Sequence, residues 1–324
     1  MLISVILFAI GLVLLIKGGD WFVDGATGIA KRFNLPDIVV GATVVSIGTT
    51  LPEVMVSTTG ALQGSGAMAY GNAIGSIICN TALIAAISII VNPGPVNTKS
   101  MKTPAIFFFA SAGLYCLASY VLGTFPRWMG FVMLSIFVLY TVLTVRNGLR
   151  NPDEAGEEEE EEGKERTLIA ELILLVVGAA VIAVGADLLV EHGQIIAIGL
   201  GVPETVVALL FVALGTSLPE LVTTITSLKK GRASLGVGNV IGANVFNLVL
   251  VSGVAVTLAP FEVPCENTLL NTGLNMSLVF EIPVMLGVMS LMIFPALATK
   301  KLGRWQGILL LGIYAAFCVC QFML

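Results

Sequence analysis

Gly48-Thr49-Thr50-Leu51-Pro52-Glu53 recurs 167 residues later as Gly215-Thr216-Ser217-Leu218-Pro219-Glu220. Each hexapeptide lies in a long apolar stretch, interrupts its own helix with a proline and places a glutamate beside the interruption. A charge at mid-membrane costs roughly 2.5–3.5 kcal/mol even on the lenient insertion scale, so a glutamate there reads as functional. The same shift lays Asp20 on Asp187, Pro36 on Pro203, and Gly71-Asn72, Ile74-Gly75 and Asn80 on Gly238-Asn239, Ile241-Gly242 and Asn247, without a gap. Further on, Arg127-Trp128-Met129-Gly130 matches Arg304-Trp305-Gln306-Gly307 at a shift of 177, so the second half carries about ten extra residues before its ninth span.

Composition agrees with a membrane solvent. The 324 residues are 56% hydrophobic and 11% charged, with a mean hydropathy of +0.98. Those values belong to all-α polytopic membrane proteins, whose partner is the lipid bilayer. Much of the acid behind the net charge of -5 lies in one run, so charge points to no nucleic acid, and nothing implies a protein partner. Cys79, Cys116, Cys318 and Cys320 lie in apolar runs and Cys265 in a loop, without metal or redox spacing. One histidine, no His-Glu-x-x-His and no Gly-x-Ser-x-Gly leave little for catalysis, and no cofactor motif is present, so the chain reads as no enzyme.

Ten spans are expected, at 2–30, 37–62, 67–92, 103–122, 127–147, 167–195, 203–228, 233–258, 281–299 and 304–323. Residues 1–147 form a first five-helix repeat, 148–166 a polar linker with the acidic run Glu157 to Glu162, and 167–324 a second repeat. The first 16 residues lack a basic start and a cleavage site and read as part of the first span. An odd number of spans per half makes the repeats inverted. With both termini outside, 14 of the 16 basic residues fall in inside loops, leaving Arg127 outside and Lys17 within the first span. The linker is then cytoplasmic, and its shortness leans to a prokaryotic plasma membrane.

Proline 52 has no amide hydrogen, so the Gly48 carbonyl loses its helical partner. In lipid such a carbonyl needs a substitute, and a dehydrated cation can serve. Thr49, Thr50 and Glu53 add oxygens from one half, and Thr216, Ser217 and Glu220 from the other. Hard oxygen ligands suit Ca²⁺. Asn80 and Asn247 follow one turn after Ser76 and Ala243 on the same face, where amide oxygens can ligate cations or hold the carboxylates. Asn72 and Asn239 are expected to pin helices, and Ser76 divides evenly between ligand and packing. Asp20, Asp24, Asp187 and Glu191 could guide ions or face water near a membrane surface, the second being favoured, and the lone His192, opposite Gly25 in the repeat, is expected at the lipid interface or surface and not as a ligand. Glu281 aligns with Pro104 at the start of its span and is left out of the site.

These residues resemble the cation/calcium antiporter superfamily, in its sodium/calcium exchanger branch. The blocks Gly41 to Asn80 and Ala208 to Asn247 are similar to that family's paired alpha-repeats. The resemblance implies ten helices in two inverted repeats, exchange of several Na⁺ for one Ca²⁺ by alternating access, and long first and sixth helices that slide across a more static core. It makes Glu53 and Glu220 shared ligands of Ca²⁺ and Na⁺, with Thr49 and Thr216 completing the Ca²⁺ site. Flanking Na⁺ sites would use the carbonyls of Ser46 and Ala213 and the hydroxyls of Thr50, Ser217 and Ser76. Ala243 stands opposite Ser76 and removes one hydroxyl from the second half, and Asn247 stands where some archaeal relatives carry aspartate.

Charge balance favours exchange. Two facing carboxylates are neutralised by one Ca²⁺ or by two Na⁺, and both loads together exceed the available charge and ligands. Rival readings are a Ca²⁺/H⁺ or K⁺-dependent exchanger and, from another class, a cation channel. Channels line pores with oligomeric rings, whereas an inverted repeat builds one midplane site within a chain. Protons compete for the same carboxylates, so acid is expected to inhibit transport.

Overall fold

The computed structural model describes residues 2–150, 166–200, 215–264 and 275–323. Within them the chain is helical: α1 (Leu2–Arg32), α2 (Asp37–Thr49), α3 (Leu51–Leu62), α4 (Gly66–Val91), α5 (Thr98–Leu122), α6 (Arg127–Arg150), α7 (Leu168–Gly199), α8 (Leu218–Lys229), α9 (Ala233–Leu258), α10 (Ser277–Thr299) and α11 (Arg304–Met323). Seven of these are long and apolar enough to cross a membrane, and α2 with α3 makes one more span bent by 45°. Most boundaries fall within a few residues of expectation. Helix α5 starts five residues before the expected 103, because the Asn97 side chain accepts from the amides of Lys99 (3.0 Å) and Ser100 (3.3 Å) and so caps a turn whose lysines read as loop. Helix α10 starts at Ser277, ahead of the expected 281. The first half of the expected seventh span, most of the linker with its acidic run, and Cys265 lie outside the described residues.

Burial separates core from periphery. The apolar windows of α4 and α9 are 72% and 83% buried, against 22–39% for the other long helices. Small residues let these central helices approach. A methyl on Gly242 would lie 2.6 Å from the Ala42 Cα, and one on Gly238 would collide with the Ile38 carbonyl. Matching positions 38 with 238 and 42 with 242 makes α2 and α9 parallel neighbours. Interiors between lipid-bathed helices favour such contacts because apolar burial alone drives no association there.

Helices α1 and α7 run antiparallel. A methyl on Gly11 would meet the Gly185 carbonyl at 2.9 Å, one on Gly178 the Phe22 amide nitrogen at 2.5 Å, and one on Gly25 the Glu171 carbonyl at 2.6 Å. Rising numbers on one helix thus meet falling numbers on the other.

Two short ribbons tie the ends of the bundle. Strand β1 (Gly94–Pro95) pairs antiparallel with β4 (Lys301–Leu302), and β2 (Thr124–Phe125) with β3 (Phe261–Glu262). The β1–β4 end gathers the basic loops. Lys31, Arg232 and Asp37 line one open cavity there with Asn92, Asn97 and Leu302, of about 550 Å³. At the same end Arg32 pairs with Glu171 (3.1 Å), Lys230 with Asp24 (2.5 Å) and Arg166 with Asp24 (3.6 Å). Lys31, Arg32, Arg166, Lys230 and Arg232, expected in separate inside loops, therefore gather at one end. Asp187 and Glu191 are exposed, as expected, while Asp20 and Asp24 are bound to Lys230.

Candidate cation site

The bend between α2 and α3 falls at Thr50, whose φ of -84° and ψ of -4° leave the helical path before Pro52. Ser217, aligned with Thr50, shows the same departure, with φ -88° and ψ 3°. Proline then occupies the first turn of the new helix in both places, where its missing amide hydrogen is harmless. Glu53 and Glu220 follow in the same first turns, where aligned amides favour negative charge. Phe22 of α1 seats in the first break, and a methyl on Gly48 would lie 2.9 Å from its ring.

Glu53 and Glu220 are both 0% exposed, and all four carboxylate oxygens lack a hydrogen-bond partner. The Glu220 carboxylate acts electrostatically on that of Glu53, and the Thr49 hydroxyl faces Glu220. A buried carboxylate without a basic partner is expensive unless something positive arrives. Where both breaks meet α1 and α7, a cavity of about 10 Å³ is bounded by Gly48, Thr49, Pro52, Pro219, Phe22 and Ile182. That is room for little more than one water-sized occupant.

The surrounding oxygens come from the residues the sequence singled out. Thr50 and Ser217 are buried, and their hydroxyls are unpartnered. Asn80 and Asn247 are 0% exposed with both amide atoms unpartnered. Each opens a π-helical turn, Asn80–Ala85 and Asn247–Val251, a backbone irregularity that recurs at functional sites. Ser76 is buried one turn before Asn80. Ser46 Oγ donates to the Gly41 carbonyl (2.8 Å) and lies 3.0 Å from that of Asn239, and its own carbonyl accepts from the Thr50 amide at 3.0 Å. Thr216 is half-buried and donates to Asn72 Oδ1 at 3.3 Å, as its aligned mate Thr49 does to Asn239 Oδ1 at 3.2 Å. Ala213 lies outside the described residues.

Two asparagines lace the halves together. Asn239 Oδ1 accepts from Thr49 (3.2 Å) and lies 3.3 Å from Ser46 Oγ. Asn72, its aligned counterpart, donates to the Glu53 carbonyl (3.2 Å) and Ser57 Oγ (2.8 Å) while accepting from Thr216. The expected pinning role is thus visible, and it crosses between repeats. Sequence reading missed two neighbours. Ser57 had no signal beyond being a hydroxyl one turn after Glu53. Cys79, read as a plain buried hydrophobe, accepts from the Tyr314 hydroxyl at 3.8 Å. Its position directly before Asn80 was the available clue.

The chain matches the model of the sodium/calcium exchanger protein family over residues 3–146 and 170–323. It is 30% identical to the sodium/calcium exchanger MaX1 of Methanosarcina acetivorans, covering 99% of both chains. An uncharacterized membrane protein of Methanocaldococcus jannaschii is 34% identical, over 95% of this chain and 94% of that one. A solved structure of the sodium-calcium exchanger NCX_Mj superimposes with a TM-score of 0.79 at 32% identity, covering 97% of each chain.

Proposed function

The chain belongs to the sodium/calcium exchanger family and exchanges Na⁺ for Ca²⁺, and from that premise we propose that Glu53 and Glu220 hold the transported ions at a site shared by two inverted five-helix repeats. The observation that carries this reading is the pair of fully buried, partnerless carboxylates on the first turns of two interrupted helices. Ten spans follow if α2 with α3 is one span, α8 completes a seventh begun in residues 203–217, and α11 is the tenth. The antiparallel α1–α7 pair supports the inversion.

Ca²⁺ is bound by the carboxylates of Glu53 and Glu220 with the hydroxyl oxygens of Thr49 and Thr216, whose protons stay directed at Asn239 and Asn72. Na⁺ uses the same carboxylates with Thr50, Ser217, Ser76, the amides of Asn80 and Asn247, and the carbonyls of Ser46 and Ala213. One Ca²⁺ or two Na⁺ cancel the two negative charges, so the loads exclude each other. An empty site leaves two bare charges away from water, which opposes crossing unloaded, and exchange follows in place of leak. Access alternates as the α1–α7 pair shifts over the core. The basic β1–β4 end faces the cytoplasm of a prokaryotic cell, with the linker 148–166, and both termini lie outside.

The relatives' names speak of sodium, calcium and exchange, which favours Na⁺ over H⁺ or K⁺ as the driving ion. Uptake of radioactive Ca²⁺ into proteoliposomes, with Na⁺, K⁺ and H⁺ gradients imposed one at a time, is the test. A Na⁺ gradient alone is expected to drive it. Uptake driven only by H⁺, or requiring K⁺, would refute the assignment, and ohmic single-channel current would refute exchange.

A further inference from the structure

Three helices meet in a small polar knot that the central site does not use. Asn244 of α9 donates from Nδ2 to Thr81 Oγ1 of α4 (2.7 Å) and to the Met289 sulfur of α10 (3.1 Å), and Thr81 donates to the same sulfur at 3.1 Å. All three residues are fully buried. A thioether sulfur accepts hydrogen bonds and has none to give, so the Asn244 atom beside it is the amide nitrogen. That settles which way the amide points. Both of its N–H bonds are taken, and Asn244 Oδ1 is left buried without a partner. The internal repeat supplies a control. Ile77 and Leu248 stand at the Asn244 and Thr81 positions by the shift of 167, and Ala112 stands at Met289 by the shift of 177. All three mates are buried. Apolar side chains fill the same positions in the other half, so packing alone does not require the knot.

Asn244 stands three residues before Asn247 on α9, and the backbone stays helical through Asn247, with φ -58° and ψ -39°. Side chains so spaced are neighbours on a helix. Asn247 is fully buried and its Nδ2 has no partner. A free acceptor and a free donor are thus held one turn apart. An amide that ligates a cation must aim its oxygen at the ion and its N–H bonds away from it. Buried N–H bonds then need an acceptor behind them, and Asn244 Oδ1 is one.

We propose that Asn244 is a positioning residue for Na⁺: its Oδ1 accepts from Asn247 Nδ2 when Na⁺ binds and so presents the Asn247 oxygen to the ion, while Thr81 and Met289 hold Asn244 in place. The inference rests on the reading of Asn247 as a Na⁺ ligand. Asn80, the aligned mate of Asn247, has Ile77 three residues before it and gains no such support. Two amides equivalent by the repeat are therefore unequal ligands. Ca²⁺, held by the two carboxylates and two threonines, does not draw on Asn244.

Equilibrium binding of radioactive Na⁺ and of radioactive Ca²⁺ to the purified protein in detergent tests it. Asn244→Leu keeps the volume and removes the amide. It is expected to weaken Na⁺ about fivefold, the net worth of one buried hydrogen bond, and to leave Ca²⁺ within about twofold of the parent. A merely structural role would weaken both ions together. Asn247→Asp offers an oxygen whichever way its side chain turns, so adding Asn244→Leu to that variant is expected to weaken Na⁺ no further. Should Asn244→Leu fail to fold, Thr81→Val loosens Asn244 without touching its oxygen and is expected to weaken Na⁺ by a smaller factor, again sparing Ca²⁺. Unchanged Na⁺ binding in the variants that fold, equal losses for both ions, or the same loss with and without Asn247→Asp overturns the proposal. Failure of the underlying ligand reading would show separately, as unchanged Na⁺ binding by Asn247→Leu.

Discussion

Replacing Glu220 by glutamine keeps the side chain's shape and removes one charge. Both Glu220 oxygens are buried without a partner, so no neighbouring group makes up the loss. A unit charge about 4 Å from a divalent ion at an effective dielectric near 20 contributes roughly 8 kcal/mol. Dehydrating the carboxylate takes back several kcal/mol. A residue of about 3 kcal/mol is more than a hundredfold in Ca²⁺ affinity. Monovalent Na⁺ gains half the gross attraction, so its binding is expected to fall less, and the Ca²⁺/Na⁺ preference should drop with it. Glu53→Gln is expected to behave alike. The assay is Na⁺-driven Ca²⁺ uptake in proteoliposomes, with equilibrium binding of each ion to the same preparation. Uptake within about threefold of the parent for either variant would refute the site, as would equal losses for both ions, because charge could not then be the cause.

Asn72→Ala frees the Glu53 carbonyl and the Ser57 and Thr216 hydroxyls at once. Unpaired buried groups cost about 1–3 kcal/mol each, so a lower unfolding midpoint is expected with at least tenfold slower uptake, and an unchanged midpoint would contradict the cross-repeat role. Gly178→Leu pushes a side chain into the Phe22 backbone of α1, where a methyl would already lie 2.5 Å away; uptake is expected to be abolished in protein that still reaches the membrane. Lys230→Gln cuts the ties from α8 to Asp20 and Asp24 of α1. Exposed pairs contribute about 1 kcal/mol or less, so up to a fivefold change is expected in the labelling rate of a Met55→Cys probe, read against the unlabelled parent. Acid competes with cations for the central carboxylates, so uptake should fall as pH drops toward about 5; a flat profile would mean the carboxylates are not the ligands.

The repeat made most of the architecture legible because insertion into lipid leaves few alternatives to helix, and prolines at 52 and 219 marked the interruptions directly. The burial of Glu53 and Glu220 was legible for the same reason, since charge in an apolar run has few uses. Partner choice was not. Thr49 and Thr216 looked like free ligands, yet each donates to an asparagine of the other half, Asn239 and Asn72, and only packing decides which hydroxyl faces which oxygen. The start of α5 was missed because Lys99 and Lys102 suggested loop, while the Asn97 cap acts through geometry that hydropathy does not encode. Cys79 was missed because a cysteine in an apolar run carries no sign of its neighbours.

Sequence equivalence between the halves does not produce equivalent ends, and that difference gives the exchanger its direction of access. On α8, Val222 and Thr226 crowd α1 so closely that a methyl on Gly19 would lie 2.8 Å from both. Met55 on α3 is the aligned mate of Val222 and is 69% exposed, and Leu51, the mate of Leu218, is 50% exposed. The long helix pair is therefore packed against the core along α8 and stands away from it along α3. Lys230 reinforces the packed side through Asp20 and Asp24, whereas its own mate is the uncharged Gln63. On the proposed inverted-repeat reading, the exchanged arrangement, packed along α3 and open along α8, would be similar in contacts and hence in energy. A small unequal term such as the Lys230 tether is then enough to bias which end is open. Transport needs the two states close in free energy, so an exposed ion pair of modest strength suits this task better than a buried one, which would hold the protein in a single state.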